Sequence, residues 1–563
     1  MGNMTMKRLV LACALVWSLV PAIAGAQTPA PAADAPPAAP APVAAPAATA
    51  AALTDADLKA VAGPKAEDRA MGDPAGTITG TVNDIPVSDP KKGLTLADLV
   101  NVVGQNVIAS NFIWTLVTGF LVMFMQAGFA IVETGLGRAK NANHTMMMNF
   151  MVYGVGMAAY WLIGFSIQEG GVGAVANLGG TAPLNHEVVM HLFGKDWGLF
   201  GTQGKMLGGS TYDVGVMVMF LFQMVFMDTA LTIVTGTAAE RWKFSAFILS
   251  SLILGAFTYP LFANWAWGGG WLATLGVNYG IGHGYVDFAG SGVVHSVGGV
   301  TALAMAILIG PRIGKFTRAG KPNAIPGHDI TMVLLGCFIL AFGWFGFNPG
   351  STLGAVANGN LRISSVAVDT MLAGMAASFS GMYYMWIRYG KPDASMTGNA
   401  FLAGLVAITA PSGFVSPMGA VLIGLIAGVL VCLSCEFVER VLKLDDVVGA
   451  ISVHGTNGIW GVISVGLFAD GTSNYGGAWN GVPGSVTGLF YGGGAGQLLA
   501  QLIGVATLVG FVFTLSFALN MVLEAVWGHR VSPEVELAGL DIPEMGALGY
   551  PEFVIKDEVP LPV

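Results

Sequence analysis

Long apolar runs constrain this chain more than any other feature. They recur at roughly 110–133, 145–167, 214–237, 245–263, 287–309, 330–349, 364–387, 397–413, 416–435, 446–468 and 497–524. A bilayer core of about 30 Å takes roughly 20 helical residues to cross. The runs therefore predict an all-α polytopic membrane protein with eleven transmembrane helices. Only 10% of the residues are charged, against about 25% in a soluble domain, which excludes one large soluble core. The net charge of -9 supplies no basic stripe for nucleic acid. The 80 glycines suit close packing of membrane helices through small residues.

The ends of the chain read differently. Residues 1–26 fit a secretory signal peptide: Lys7 and Arg8, then an apolar core, then Ala24-Gly25-Ala26 before Gln27. Residues 27–52 are almost entirely Ala and Pro and cannot bury a core. With the polar stretch to 94 they form an extracytoplasmic extension. Thr95 is placed to cap a short helix from Leu96 to Gln105. The transmembrane domain is then 95–525, and 526–563 is a tail. Alternate loops hold Arg138, Lys140, Arg241, Lys243, Arg312, Lys315, Arg318, Lys321, Arg388, Lys391, Arg440 and Lys443, whereas the others hold Lys195, Lys205 and Arg362. By the positive-inside rule the first group is cytoplasmic. The N-terminus is then outside after cleavage, and the tail is cytoplasmic.

Two of the runs share a pattern. Asp287-Phe288-Ala289-Gly290-Ser291-Gly292-Val293-Val294-His295 and Asp446-Val447-Val448-Gly449-Ala450-Ile451-Ser452-Val453-His454 both fit Asp-x2-Gly-x3-Val-His, and each continues to a glycine four residues on, Gly299 and Gly458. The predicted topology makes the fifth and tenth spans cross in opposite directions. That is the sequence form of an inverted repeat, spans one to five against six to ten. Eight helical residues rise about 12 Å, so in a core of about 30 Å the two histidines differ in depth by about 6 Å. An intramembrane histidine is costly and marks a functional site by default. Two imidazoles at one depth can hydrogen-bond and suit passage of a small polar molecule or relay of a proton. Two unrelated core histidines are the bland alternative. A metal is disfavoured, since two histidines without a third ligand are not a usual set. Cys432-Leu433-Ser434-Cys435 has CxxC spacing without a redox context, Cys13 lies in the signal peptide, and Cys337 lies in an apolar run. No cofactor is called for. No nucleophile–base constellation lies outside the spans, so an enzyme is not expected.

Residues 108–550 resemble the ammonium transporter family (the Amt, Mep and Rh proteins), in its bacterial Amt branch. The resemblance rests on Phe222-Gln223-Met224-Val225-Phe226 running to Ala239-Glu240-Arg241, on Trp265-Ala266-Trp267-Gly268-Gly269-Gly270, on Gly343-Trp344-Phe345-Gly346-Phe347-Asn348-Pro349-Gly350-Ser351, and on the two Asp-to-His patterns. It implies a homotrimer in the inner membrane of a bacterium, with one pore per subunit. It implies ammonium recruitment by Trp267, Ser351 and Phe226, with Asp287 organising that site. Phe226 and Phe347 match a phenyl gate, His295 and His454 the pore pair, and Trp344 and Thr409 pore-lining positions. Ammonium would be deprotonated outside and ammonia conducted, with the proton crossing separately in a net electrogenic uptake. Asp228 lies about 200° around the helix from Phe226, away from such a pore, and a structural hydrogen bond is expected for it over a proton route. Glu133, at the end of the first span, is expected at the interface.

The tail, with Gly539-Leu540-Asp541-Ile542 and Gly546-Ala547-Leu548-Gly549-Tyr550, is similar to the family's regulatory C-terminus. That implies packing under a neighbouring subunit and control by PII-type signal proteins. Met545 and Ala547 flank Gly546 where the family pattern has histidine and glutamate. Two other readings stay open: an ammonium sensor, and an electroneutral gas channel.

Overall fold

The computed structural model describes residues 93–170, 186–208, 214–356, 360–471 and 479–553. The signal-peptide assignment and the extension up to residue 92 lie outside the described residues. Among the described residues, those up to Asn111 fall in a smaller unit and those from Phe112 onward in the main one.

Helices occupy every apolar run. They are α1 (Leu96–Leu136), α2 (Ala139–Glu169), α3 (Val214–Ala238), α4 (Phe244–Ala266), α5 (Ser291–Ile309), α6 (Ile330–Thr352), α7 (Asn360–Tyr389), α8 (Ala394–Thr409), α9 (Pro417–Arg440), α10 (451–468) and α11 (Gly496–Val526). Nine of them, among the described residues, are long and apolar enough to cross a membrane. The other two are α8, a shorter apolar helix, and α10, which carries Ser452, His454, Thr456 and Asn457 in its first turns.

Two helix starts differ from expectation. Thr95 does cap, with its Oγ1 accepting from Asp98 N at 3.3 Å while Asp98 Oδ2 accepts from Thr95 N at 2.9 Å. The helix it begins is not a separate short one. No proline interrupts Leu96–Leu136, and the helix runs on unbroken. Conversely, the run at 287 turns helical only at Ser291. Before it, Phe288 N and Ala289 N donate to Ala410 O and Thr409 O at the end of α8. Gly290, at φ +110°, makes the corner.

Elsewhere the caps follow the sequence. Asp329 accepts from Met332 N at 2.9 Å to begin α6, and Asp393 accepts from Met396 N at 2.8 Å to begin α8. Ser416 with Pro417 starts α9, which separates α8 from α9 despite the short link. Small residues let α7 and α9 touch. A Cβ on Gly424 would lie 2.2 Å from Ala373 O, and one on Gly428 2.1 Å from Ala377 O, a four-residue small-residue repeat on both helices.

The connection between α2 and α3 contains a hairpin, β1 (Glu187–Leu192) antiparallel to β2 (Lys195–Gly201). Phe193 and Gly194 both have positive φ at its tip. Trp197 stacks on Trp271, with centroids 4.9 Å apart, and Leu199 O accepts from Trp265 Nε1 at 2.8 Å. The hairpin is thereby fastened to the end of α4.

At the opposite end of the helices the predicted basic loops form a buried ion network. Arg312 binds Asp445 through Nε at 2.9 Å and pairs with Glu240, which also pairs with Arg138. Burial works against the Asp445 carboxylate, but hydrogen bonds from Arg312 and the charges of Arg241 and Arg312 hold its pKa well below the usual range. The tail, with α12 (Pro533–Ala538) and α13 (Asp541–Met545), docks on the first turns of α2 and α4 and on the loop before α6. Asp541 Oδ1 accepts from His144 N at 2.9 Å, Glu544 Oε2 from Phe244 N at 2.9 Å, and Tyr550 OH meets His328 Nε2 at 2.9 Å. Cys337, Cys432 and Cys435 are free thiols.

Candidate functional site

The two Asp-to-His copies are the centre of the fold. Asp287 Oδ1 accepts from Gly290 N, and its Oδ2 accepts from Gly292 N and Val293 N, all at 2.9 Å. Asp446 does the same for α10, accepting from Ala450 N at 3.1 Å and Ile451 N at 2.8 Å, with Thr237 Oγ1 as a third donor. Each carboxylate thus satisfies N–H groups that a helix start leaves open. The Asp287 carboxylate is occupied by this capping.

Both helices then begin with a six-residue π turn that ends one or two residues past the histidine, Ser291–Ser296 and Ile451–Thr456. Single π turns inside helices are uncommon and concentrate at functional sites. The π turn of each helix packs against the α-helical continuation of the other. A Cβ on Gly299 would lie 2.2 Å from Gly455 N, and one on Gly458 2.3 Å from Ser291 O. Glycine at these positions lets the backbones cross in contact. The crossing brings His454 Nδ1 to 3.2 Å from His295 Nδ1, with ring centroids 5.3 Å apart. The hydrogen bond foreseen from spacing alone is present.

A column of rings continues from His295. Phe347 lies 5.2 Å from it and Trp344 5.3 Å, both stacked. Phe226 stacks on Phe347 at 4.2 Å, and Trp267 meets the Phe226 edge at 6.1 Å. Trp267 is held by its indole N–H donating to Asp287 O at 2.7 Å. Ser351 lies one turn beyond Phe347, and its hydroxyl donates to Phe347 O at 2.8 Å. Thr409 Oγ1 accepts from Trp344 Nε1 at 3.0 Å and donates to Leu405 O at 2.7 Å. Its side chain steadies the Trp344 ring.

Past His454 the lining changes. Phe129 lies 5.8 Å from His454, and a cavity follows, bordered by His454, Phe129, Val453, Asn399 and Glu133. Glu133 is 2% exposed, so near the end of α1 it faces neighbouring helices and not solvent. Asn149 on α2 and Thr235 on α3 draw it inward by hydrogen bonds of 2.7 and 2.9 Å. Sequence reasoning missed this because both partners are remote in the chain. Asp228 does turn away from the ring column, toward Gly156 on α2. The hydrogen bond expected for it is not found at Oδ1, which is buried without a partner. Among the described residues no cluster of three or more His, Cys, Asp or Glu is arranged to hold a metal.

Comparison with known proteins places this geometry in a family. A family model described as the Ammonium Transporter Family matches residues 113–550. Ammonium transporter Amt2 of Archaeoglobus fulgidus is 46% identical over 455 residues, 80% of this chain and 90% of the relative. Ammonium transporter Amt1 of Haloferax mediterranei is 35% identical over 464 residues, 81% of each. Among solved structures, one titled Sensor Amt Protein aligns with a TM-score of 0.66 at 34% identity, covering 78% of this chain and all of that one. Mep2 of Candida albicans shares the fold, with a TM-score of 0.63 at 23% identity over 76% of this chain and 87% of its own.

Proposed function

Since the chain belongs to the ammonium transporter family, we propose that it takes up ammonium across the inner membrane of a bacterium, conducting it as ammonia past the histidine pair. The observation that carries this reading is the His295–His454 contact of 3.2 Å at the base of a stacked aromatic column. A bare ammonium ion cannot afford to lose its water in such a column. Neutral ammonia can pass, and neutral imidazoles offer it hydrogen-bonding atoms without a fixed charge. Recruitment falls to Trp267, Phe226 and Ser351, with Asp287 setting the position of Trp267. A cation over these rings gains roughly 0.5–2 kcal/mol. Phe226 and Phe347 are the gate, and Trp344 with Thr409 shapes the conduit. Ammonium gives up its proton at this outer site, the proton crosses separately, and net uptake is electrogenic.

The remaining architecture follows the same proposal: a cleaved signal at 1–26, an extracytoplasmic extension at 27–94, eleven spans within 95–525, a cytoplasmic tail at 526–563, and a homotrimer. A PII-type protein is a candidate partner for the cytoplasmic face. The similarity to a sensor Amt protein favours one second reading, an ammonium sensor. Current across proteoliposomes after an ammonium pulse separates the readings. A saturable inward current is expected. Internal alkalinisation without current favours the gas channel, and neither response favours the sensor.

A further inference from the structure

The cavity beyond His454 contains one carboxyl group, that of Glu133. No ion pair to Glu133 is found among the described residues. Neutral groups hold it instead. Thr232 Oγ1 donates to Asn149 Oδ1 at 2.6 Å, which turns the Asn149 NH2 toward Glu133 Oε2 at 2.7 Å. Thr235 Oγ1 lies 3.0 and 2.9 Å from the two carboxyl oxygens and 2.6 Å from Thr232 O. The carbonyl can only accept, and a hydroxyl has one hydrogen to give. With that hydrogen on Thr232 O, its shortest contact, Thr235 Oγ1 is free to accept from a protonated Glu133. Without that proton the Thr235 hydrogen turns to the carboxylate. The two states differ by one proton and one hydroxyl rotation, and no helix has to move.

The other ionisable groups facing Glu133 both belong to the second Asp-to-His segment. They are His454, across the cavity, and Asp446, whose charge opposes a charge on Glu133. From the other elements, α2, α3 and α8 contribute Asn149, Thr235 and Asn399, all neutral.

We propose that Glu133 is the proton-return site of the conduit, where ammonia leaving His454 becomes ammonium again. The O–H bond of the Glu133 carboxyl breaks, and the ammonia lone pair forms the new N–H bond. Carboxylate and ammonium stay paired until the ion reaches water. The proton shed by ammonium at the Trp267 end then reloads the carboxylate, so one cycle moves one ammonium ion. This rests on the transport reading above.

The test is Glu133→Gln in the full-length protein, reconstituted in proteoliposomes. Glutamine matches the protonated acid in shape and can bond Asn149 and Thr235, but it has no proton to release. The ammonium-evoked current is expected to fall at least tenfold. Ammonia that enters without its proton is expected to appear as internal alkalinisation of a trapped pH dye, larger than in the wild type, where the proton enters with it. Glu133→Asp keeps an acid there and is expected to retain current with a shifted pH profile. Wild-type current in the Gln variant overturns the proposal. So does a loss of current with no gain in alkalinisation, since that is what a merely structural role predicts. If the Gln variant does not fold, an unshifted pH profile in the Asp variant overturns it. A wild-type protein without current fails the transport reading as well, whereas current in both wild type and Gln variant fails this inference alone.

Discussion

Asp287 and Asp446 cap the two central helices in the same way, yet the surroundings of the two histidines that follow are unlike. On the Asp287 side, His295 is covered by Phe347 and Trp344 at 5.2 and 5.3 Å. On the Asp446 side, His454 has Phe129 at 5.8 Å and an open cavity that reaches Glu133. The rings come from α6 in one half and from α1 in the other, the helices that correspond under the sequence repeat. These helices also pack on each other, with Gly128 against Leu340 and Gly336 against Val132. A shared backbone pattern supplies the crossing and the histidines. The side chains of α1 and α6 then make one half dry and aromatic and leave the other with an acid.

The crossing itself is the place to break the comparison hardest. A Cβ on Gly299 would sit 2.2 and 2.4 Å from Gly455 N and Cα, whereas a Cβ on Gly455 meets nothing nearer than 3.4 Å. Gly299→Ala is therefore expected to cost about 4 kcal/mol or more, since backbone has to shift. Gly455→Ala is expected to change stability by less than about 1 kcal/mol, with helix propensity offsetting the crowding. Thermal unfolding in detergent measures both. Equal losses would mean that the close backbone approach at Gly299 does not hold the crossing.

The caps come next. Asp287→Ala strands three buried N–H groups, and a loss of about 4 kcal/mol is expected from charge-assisted bonds of roughly 1.5–3 kcal/mol each, less partial relaxation. Asp446→Ala strands two N–H groups and a hydroxyl near partly exposed surface. About 2 kcal/mol is expected there. The same unfolding assay ranks them, and a larger loss for Asp446→Ala would reverse the assignment of the more enclosed half.

Much of this was legible because it repeats at short range. Hydropathy marked α1 to α11, and the Asp-to-His spacing picked out the two segments whose histidines meet. The glycine four residues past each histidine proved to be a contact point. Glu133 was not legible, because its burial depends on Asn149 and Thr235, sixteen and 102 residues away. The extended Asp287–Gly290 entry was hidden too, since its partners are carbonyls at the end of α8. The continuity of α1 was missed because a capping signal reads the same for a short helix as for a long one.

For the histidines the enclosed half is expected to matter more. His295 is sealed between rings and its Nε2 has no partner, so His295→Ala leaves an apolar gap in the driest part of the column. A fall of at least tenfold in ammonium current is expected, about 1.4 kcal/mol in barrier terms. His454 borders the cavity, where water can stand in for the missing imidazole, and His454→Ala is expected to lose less. Unaltered current in both variants would reject the pair as the conduit, and a larger loss at His454 would move the bottleneck to the Glu133 side.

The smallest effect is expected at Thr409, and it decides how the enclosed half is held. The family resemblance makes Thr409 a pore-lining residue, but its hydroxyl is engaged by Trp344 Nε1 at 3.0 Å and Leu405 O at 2.7 Å. Thr409→Val keeps the shape and removes the acceptor, leaving a buried indole N–H unpaired. The expected cost is about 1–2 kcal/mol of stability, with a two- to fivefold change in current as the Trp344 ring loosens over His295. If Thr409 acts through Trp344, the substitution should have almost no further effect on current in a Trp344→Phe background, where there is no N–H to satisfy. If Thr409 instead meets the substrate, its effect should persist undiminished in that background. The double-mutant cycle therefore separates a residue that positions the Trp344 ring from one that meets the substrate, beside a histidine stacked on Trp344 and Phe347.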